Sequence, residues 1–354
     1  MSILITIIVF IAVLILLVLT HEFGHFAAAK LSKVKVEEFG IGFPPRIFGV
    51  KRGETMYSIN AIPFGGFTKL LGEEDPSMPG SLAGKSIPVR IFVLSAGSLL
   101  NLLLPIILFS ISFMIPHTMV LENVMIKDVV ADSPAQMAGI QTGDRILEID
   151  SHQVKNRSEV SYFIQLNLGN EITMKLQKPD STEKTVLVKP RWNPPQGQGA
   201  TGVMLDSVET ATVTESMPFW QAVPASVTHS WEILILFRNE VTSWFIRGIA
   251  PQLAGPVALA QITGEVVKAG ISPLLEFTAL ISINLGLFNL LPFPGLDGGR
   301  LVFVFLEWAR RGKKISPKKE GLVHLIGFLA LMVLILVISY FDIARIIQGE
   351  SLLP

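Results

Sequence analysis

The sequence predicts an α-helical polytopic membrane protein with about four transmembrane helices, a membrane-associated β-hairpin after the first helix, and an inserted β-rich domain. Mean hydropathy is +0.52. Only 16% of the 354 residues are charged, whereas a soluble domain carries about 25%. Four apolar runs approach the roughly 20 residues that a helix needs to cross a bilayer. Between the second and third runs, a long stretch alternates apolar and polar residues as strands do.

The four apolar runs are the predicted spans. The first covers residues 3–19 and continues toward residue 29, and the others cover residues 91–115, about 277–296, and 322–341. A cleaved signal peptide is the alternative for the first run. It fits poorly, because no basic residue precedes the run and a histidine-bearing segment follows it.

Loop charges predict the orientation of the spans. Residues 30–90 contain nine lysines or arginines, and a short loop after the third run contains six more. The positive-inside rule places both basic loops in the cytoplasm. Both chain termini and the middle stretch are then extracytoplasmic. The predicted organisation is a first membrane part (1–115), a middle domain (118–208), an amphipathic interfacial segment (209–271) and a second membrane part (272–354).

The middle domain resembles a PDZ domain of the permuted bacterial type. In residues 133–150 a short helical segment ends at Gly139, Gly143 opens a tight turn, and a strand follows. By this resemblance the segment 202–205, Gly-Val-Met-Leu, is a loop that opens onto a peptide-binding groove, with Gly202 and Val203 as candidate binding residues. A small β-rich domain without a ligand is the alternative.

The segment from 219 to 270 has aromatic and aliphatic residues near helical spacing, but charged residues interrupt them. This pattern favours a helix in the membrane interface over one that crosses the membrane. A fifth span is the alternative.

The candidate metal-binding and catalytic residues lie at the end of the first run, in the pattern His21-Glu22-Phe23-Gly24-His25. Residues four apart share a helix face, so both histidines can offer nitrogens to one metal ion. Glu22 is placed to act as a general base, as in zinc proteases. Solvated helix histidines are the alternative, but these groups are costly near a span unless they face a polar site.

Asp297 is the predicted third ligand, because a catalytic zinc usually takes three protein ligands and keeps one position for water. It lies in the segment 289–299, Asn-Leu-Leu-Pro-Phe-Pro-Gly-Leu-Asp-Gly-Gly, which cannot continue a regular helix. Irregular backbone at membrane depth is tolerated where it lines a cavity or is buried in protein. A helix-capping aspartate is the alternative.

Together these motifs resemble the site-2 protease family of intramembrane zinc metalloproteases, in particular the bacterial regulator-of-sigma-E proteases, over nearly the whole chain. The resemblance implies that His21, His25 and Asp297 bind zinc (Zn2+) and that Glu22 is the catalytic base. It also implies that Asn284 and Asn289 help to hold the substrate or the opened backbone near the zinc.

The same resemblance implies that residues 34–71 form a β-hairpin that dips into the membrane and pairs with an extended substrate. Asn60, Gly65 and Gly66 of this hairpin are therefore predicted substrate-binding residues, together with Gly202 and Val203. One departure matters. The best-known members have two tandem PDZ domains, and this chain has room for one.

The predicted function is regulated intramembrane proteolysis, with a metal-activated water cleaving single-span membrane proteins such as anti-sigma factors, or remnant signal peptides. The predicted partners are these substrates, the lipid bilayer and peptide carboxyl termini, with no nucleic acid. A metal-ion transporter is one alternative, although the spans lack a series of polar sites. A catalytically silent membrane adaptor is another, although it would not need Glu22.

Overall fold

The computed structural model describes residues 3–248 and 254–348, so the predicted placement of both chain ends falls partly outside the described residues. The chain forms two compact units, residues 1–112 with 253–354, and residues 113–252. The described helices are α1 (Ile3–Leu31), α2 (Ile87–Met114), α3 (Pro134–Met137), α4 (Arg157–Leu166), α5 (Phe219–Arg247), α6 (Pro256–Ala269), α7 (Ile271–Leu290), α8 (Asp297–Ala309) and α9 (Pro317–Gln348). The described strands are β1 (Val36–Arg52), β2 (Thr55–Leu70), β3 (His117–Val129), β4 (Arg145–Ile149), β5 (His152–Gln153), β6 (Ile172–Gln177), β7 (Glu183–Val188) and β8 (Val203–Glu215).

Four helices of the described residues, α1, α2, α7 and α9, are long and apolar enough to cross a membrane. This confirms a multi-pass membrane protein. Large apolar side chains of α9, among them Leu336 and Phe341, are exposed. Such a surface is stable where lipid rather than water surrounds the helix.

The third span begins earlier than the predicted interval of about 277–296, and it ends in the segment 289–299, where the sequence predicts that a regular helix cannot continue. Helix α7 begins at Ile271 and ends at Leu290, and Leu291 is already extended, with φ −62° and ψ 142°. Pro292 and Pro294 cause this end, because proline disfavours helical backbone in the residue before it. The segment 291–296 is therefore a turn between α7 and α8.

Strands β1 and β2 form the hairpin that follows α1. Both strands bend, so that residues 38–41 of β1 pair with residues 66–69 of β2 on one side and with residues 56–59 of β2 on the other. Ile41, for example, lies opposite Gly66 on one side and opposite Ile59 on the other. Residues 46–52 pair with 55–60 farther along. Residues 66–70 thus form an edge segment, which pairs with no second strand within the described part of the chain.

The middle unit contains a sheet with the strand order β7-β6-β4-β3-β8, and β5 pairs with β4. Its core lies under this sheet and includes Ile126, Ile146, Val160 and Met174, all fully buried. The predicted loop at Gly202 is shorter than expected. Val203 to Leu205 belong to strand β8 and pair with the end of β3, so only Gly202, with φ +80°, remains in the turn.

Helix α5 makes several polar contacts with the middle unit. The Asn239 amide donates to the carbonyl oxygens of Gln165 (2.8 Å) and Leu166 (3.0 Å), which satisfies the end of α4. The Tyr162 hydroxyl donates to Glu232 at 2.7 Å. Burial, and then the carboxylate, raise the pKa of Tyr162 above its usual range, so the hydroxyl remains a donor. Helix α6, from the same predicted interfacial segment, belongs to the other unit.

Candidate metal centre

Helix α1 brings the two histidines of the first motif together. Because they are four residues apart on one helix, His21 and His25 share a face, and their Nε2 atoms lie 3.2 Å apart. Both side chains are buried. The solvated-histidine alternative therefore does not describe these residues.

Asp297 completes the cluster from helix α8. Its Oδ2 atom lies 3.0 Å from His21 Nε2 and 3.1 Å from His25 Nε2. The helix-capping alternative is not observed, because Leu296 occupies the N-cap position and no side chain caps the helix. The carboxylate instead faces the two imidazole rings.

The donor set fits a divalent metal ion. His25 Nδ1 lies 2.8 Å from the carbonyl oxygen of Val93, a contact that requires Nδ1 to carry a proton. In the neutral ring the Nε2 lone pair then faces the Asp297 carboxylate, and a cation between them resolves the contact of two acceptors. Tetrahedral zinc with bonds of about 2.0–2.2 Å places neighbouring donor atoms about 3.3 Å apart. The observed separations of 3.0–3.2 Å agree with that spacing.

Two glycines allow α1 and α2 to cross at the metal centre. A Cβ atom at Gly24 would lie 2.5 Å from the carbonyl oxygen of Ala96. A Cβ atom at Gly97 would overlap His25 Nε2 and lie 2.9 Å from His21 Cε1. Small residues permit such close helix contacts in membranes. Here the missing side chain also leaves room for the imidazole rings.

The turn before α8 holds Asp297 in place through further close contacts. Gly298 and Gly299 pack against carbonyl groups of the 290–293 segment, where a Cβ atom would overlap them. Gly295 has φ +97° and donates its N–H to His324 Nδ1 of α9 at 3.1 Å. The irregular turn is therefore held by packing of α8 against residues 290–293 and by a hydrogen bond to α9.

Glu22 faces two cavities at the metal centre. One, of about 420 Å³, is also lined by His25, Asp297, Arg300 and residues 67–70 of the edge segment. The other, of about 250 Å³, is also lined by His21, Asp297, Leu285 and Asn289. A group bound at the metal centre is therefore accessible from the hairpin side and from the α7 side, with Glu22 adjacent to both.

The predicted substrate-binding residues of the first unit differ in how close they lie to the metal centre. Asn289 lines the smaller cavity, whereas Asn284 is exposed on α7 and lines neither. A Cβ atom at Gly66 would lie 3.5 Å from Glu22 Cγ, and Gly65, with φ +105°, packs against Phe43.

Asn60 is not brought to the metal centre. Its amide donates to the carbonyl oxygens of Ile41 and Gly42, so it holds the hairpin together. Gly202 and Val203 lie in the middle unit.

Several contacts around the metal centre involve residues that belong to no sequence motif. The Thr68 hydroxyl donates to the carbonyl oxygen of Glu22 at 2.9 Å, which attaches the edge segment to α1. Arg300 lies 2.6 Å from Glu73 in an ion pair at the larger cavity. Arg90 and Glu307 form a buried ion pair between α2 and α8. Charged residues next to apolar segments are the signal that could have identified the ion-pair residues.

Two imidazoles and a carboxylate that converge inside a membrane protein, with a glutamate beside them, define a membrane metallohydrolase. The model of peptidase family M50 matches residues 9–334. The chain belongs to this family, the site-2 protease family that its motifs resemble. It is a zinc metalloprotease of the membrane. Membership of this family favours proteolysis over the transporter and adaptor alternatives.

Relatives support the same assignment. A protein of Clostridium acetobutylicum named as a candidate zinc metalloprotease is 37% identical over 328 residues, which cover 92% of this chain and 94% of the relative. A similarly named protein of Rhizobium meliloti is 31% identical over 362 residues, which cover 96% of each. The zinc metalloprotease RasP of Geobacillus kaustophilus is 28% identical over 427 aligned positions, which cover 96% of this chain and 98% of RasP.

Proposed function

We propose that the protein cleaves membrane-embedded segments of single-span membrane proteins, such as anti-sigma factors, or remnant signal peptides. His21, His25 and Asp297 hold the zinc ion, and Glu22 is the catalytic base. The single observation that carries this proposal is the convergence of three donor atoms within 3.2 Å of one another beside a glutamate that lines two cavities.

The proposed mechanism is a hydrolysis with Glu22 as the proton carrier. Zinc, when bound, supplies Lewis acidity that lowers the pKa of a water molecule and polarises the scissile carbonyl group. The Glu22 carboxylate accepts a proton as the water oxygen attacks the carbonyl carbon. It then donates that proton to the amide nitrogen as the C–N bond breaks. Asn289, which lines the smaller cavity, is positioned to bind the substrate backbone.

The edge segment 66–70 supports a specific mode of substrate binding. A peptide bond in a membrane helix is shielded by the helix's own hydrogen bonds, so the substrate must unwind before attack. An unwound peptide needs new partners in a low-dielectric environment, and an exposed sheet edge offers them. Residues 67–70 line the larger cavity together with Glu22, so an added strand would lie next to the metal centre.

Cysteine crosslinking tests this binding mode, because the natural chain has no cysteine. In a Glu22→Gln background, Lys69→Cys is expected to form a disulfide with a cysteine next to the scissile bond of a single-span substrate. Lys51→Cys, on the opposite edge of the hairpin sheet, is the matched control. Equal crosslinking of both positions would contradict pairing at 66–70.

The middle unit is proposed to act as a PDZ-like domain that binds peptide carboxyl termini beside β8. A helix that ends before Gly139 (φ +74°), a turn at Gly143 (φ +91°) and the strand β4 support this assignment. In a peptide titration of the whole protein in detergent, Val203→Asp should abolish binding. Val208→Asp, an exposed site on the same strand, should retain it. A wild-type protein that binds no carboxyl-terminal peptide would favour a β-rich domain without a ligand.

Helix α5 is proposed to lie in the membrane interface. Its small polar residues Ser226, Ser230 and Ser243 are buried, whereas Trp220 and Trp231 are 73% and 64% exposed. Indole rings favour the headgroup region, where one end is apolar and the other is hydrated. This reversed amphipathicity suits a helix between a protein domain and a lipid surface.

Fluorescence quenching tests the position of α5. In nanodiscs that contain brominated phospholipids, Trp220→Gln combined with Trp231→Gln should remove a large part of the lipid-dependent quenching. Trp192→Gln, in a partly buried position of the middle unit, should leave it unchanged. If the double variant behaved like the Trp192 variant, α5 would not contact lipid.

The proposed location is the bacterial cytoplasmic membrane, with the middle unit and both termini extracytoplasmic and the zinc site near the cytoplasmic side. The basic loop after α8 supports this orientation. In intact cells, a membrane-impermeant maleimide should label Gln196→Cys and not Lys318→Cys. The opposite labelling would reverse the topology.

A further inference from the structure

The two histidines of the metal centre differ at their second ring nitrogen. His25 Nδ1 has a fixed partner, the carbonyl oxygen of Val93 at 2.8 Å. His21 Nδ1 is buried and has no hydrogen-bond partner within the described residues. Histidine ligands almost always donate this second N–H to an acceptor, which fixes the tautomer and directs the other nitrogen to the metal.

Helix α2 shows where a partner for His21 is available. His25 contacts α2 at Val93, and both imidazole rings lie against Gly97, four residues later, where a Cβ atom would overlap His25 Nε2 and lie 2.9 Å from His21 Cε1. Within the pair, His21 thus contacts α2 at Gly97, while His25 reaches back to Val93. The two helices therefore run in opposite directions along this contact. Residues at a spacing of four share a helix face, so Asn101 is the next residue of the same stripe, on the side of His21 away from His25.

Asn101 is wholly buried, and both polar atoms of its side chain lack partners within the described residues. The neighbouring Ser98 hydroxyl is also wholly buried and unpartnered there. The backbone carbonyl of Asn101 accepts a hydrogen bond from the Ser282 hydroxyl at 2.7 Å. Unsatisfied polar groups are especially costly in a membrane. Four such atoms, on three residues next to one contact between α1 and α2, indicate a shared site.

We propose that Asn101 positions His21 through one buried water molecule. The water oxygen accepts a hydrogen bond from His21 Nδ1–H, the water donates a hydrogen bond to the Asn101 amide oxygen, and Ser98 completes its hydrogen bonds. Buried waters typically make about three hydrogen bonds to groups that otherwise lack partners. Asn101 thus does for His21 what the carbonyl of Val93 does for His25. This inference rests on the proposed role of His21 as a zinc ligand.

Zinc affinity, measured by competition with a chelator on the purified full chain, tests the proposal. Asn101→Leu, which removes the acceptor, should weaken zinc binding about 10- to 100-fold. Asn101→Asp, which keeps an acceptor, should restore an affinity close to that of the wild type. Ser112→Ala is the matched control, because Ser112 is a buried polar residue of α2 that contacts Ser272 and Glu276 instead.

A second readout separates positioning from general stability. The absorption spectrum of the cobalt-substituted protein should change in Asn101→Leu and remain that of the wild type in Asn101→Asp and Ser112→Ala. Equal loss of affinity in both Asn101 variants, or an unchanged affinity in Asn101→Leu, would overturn the positioning role. Zinc retention by His25→Ala would instead overturn the metal centre itself, so the two failures are distinguishable.

Discussion

Replacement of Glu22 by glutamine should abolish cleavage and leave zinc bound. The amide keeps the size of the side chain but cannot accept the proton of the attacking water. General-base catalysis contributes about 10²- to 10⁴-fold to such reactions, so we expect a loss of at least about 10²-fold. His21, His25 and Asp297 are unchanged, and their mutual contacts at 3.0–3.2 Å do not include a Glu22 atom.

The measurement is cleavage of a single-span model substrate in detergent, with the metal content of each sample. Glu54→Gln is the control, because Glu54 is exposed and pairs with Lys30 at the surface. Its activity should equal that of the wild type. Cleavage by Glu22→Gln at the wild-type rate would exclude Glu22 as the base.

Replacement of Gly97 by alanine should remove zinc and activity together. The new methyl group would overlap His25 Nε2, a proposed ligand atom, and would press on His21 as well. Neither ring can move away easily, because both are buried and α1 already contacts the backbone of Ala96 at Gly24. We expect loss of bound zinc rather than a moderate reduction in rate.

Alanine at a second glycine provides the matched control for this prediction. Gly53 lies in the hairpin turn, where a Cβ atom would meet nothing within 4 Å, although its φ of +63° makes the substitution mildly strained. Gly53→Ala should retain zinc. A Gly97→Ala protein that binds zinc with the affinity of the wild type would show that α1 and α2 do not cross as closely as described.

The sequence allows prediction of features that depend on local pattern. The spacing of His21 and His25 implies a shared helix face, and the apolar runs give the four spans because length and hydropathy are sufficient for that inference. Asp297 was also identifiable, since it lies in a segment rich in proline and glycine, and irregular backbone inside a membrane is tolerated where it lines a cavity or is buried in protein. The structure brings these three residues together.

Features that depend on contacts between distant segments could not be predicted. Asn60 appears in a motif of the hairpin, but its side-chain amide donates hydrogen bonds to backbone carbonyls of the hairpin itself. Gly97 and Asn101 look like ordinary residues of an apolar helix. Their importance depends on which face of α2 meets α1, and one sequence does not contain that information.

The most direct test of the metal centre is zinc X-ray absorption spectroscopy of the purified wild-type protein, with metal stoichiometry. We predict one zinc ion per chain, with two imidazole nitrogens and oxygen ligands. His25→Ala and Asp297→Ala should each lose the bound metal. Zinc without imidazole ligands, or zinc retained in both variants, would contradict the assignment of His21, His25 and Asp297 as the catalytic metal site.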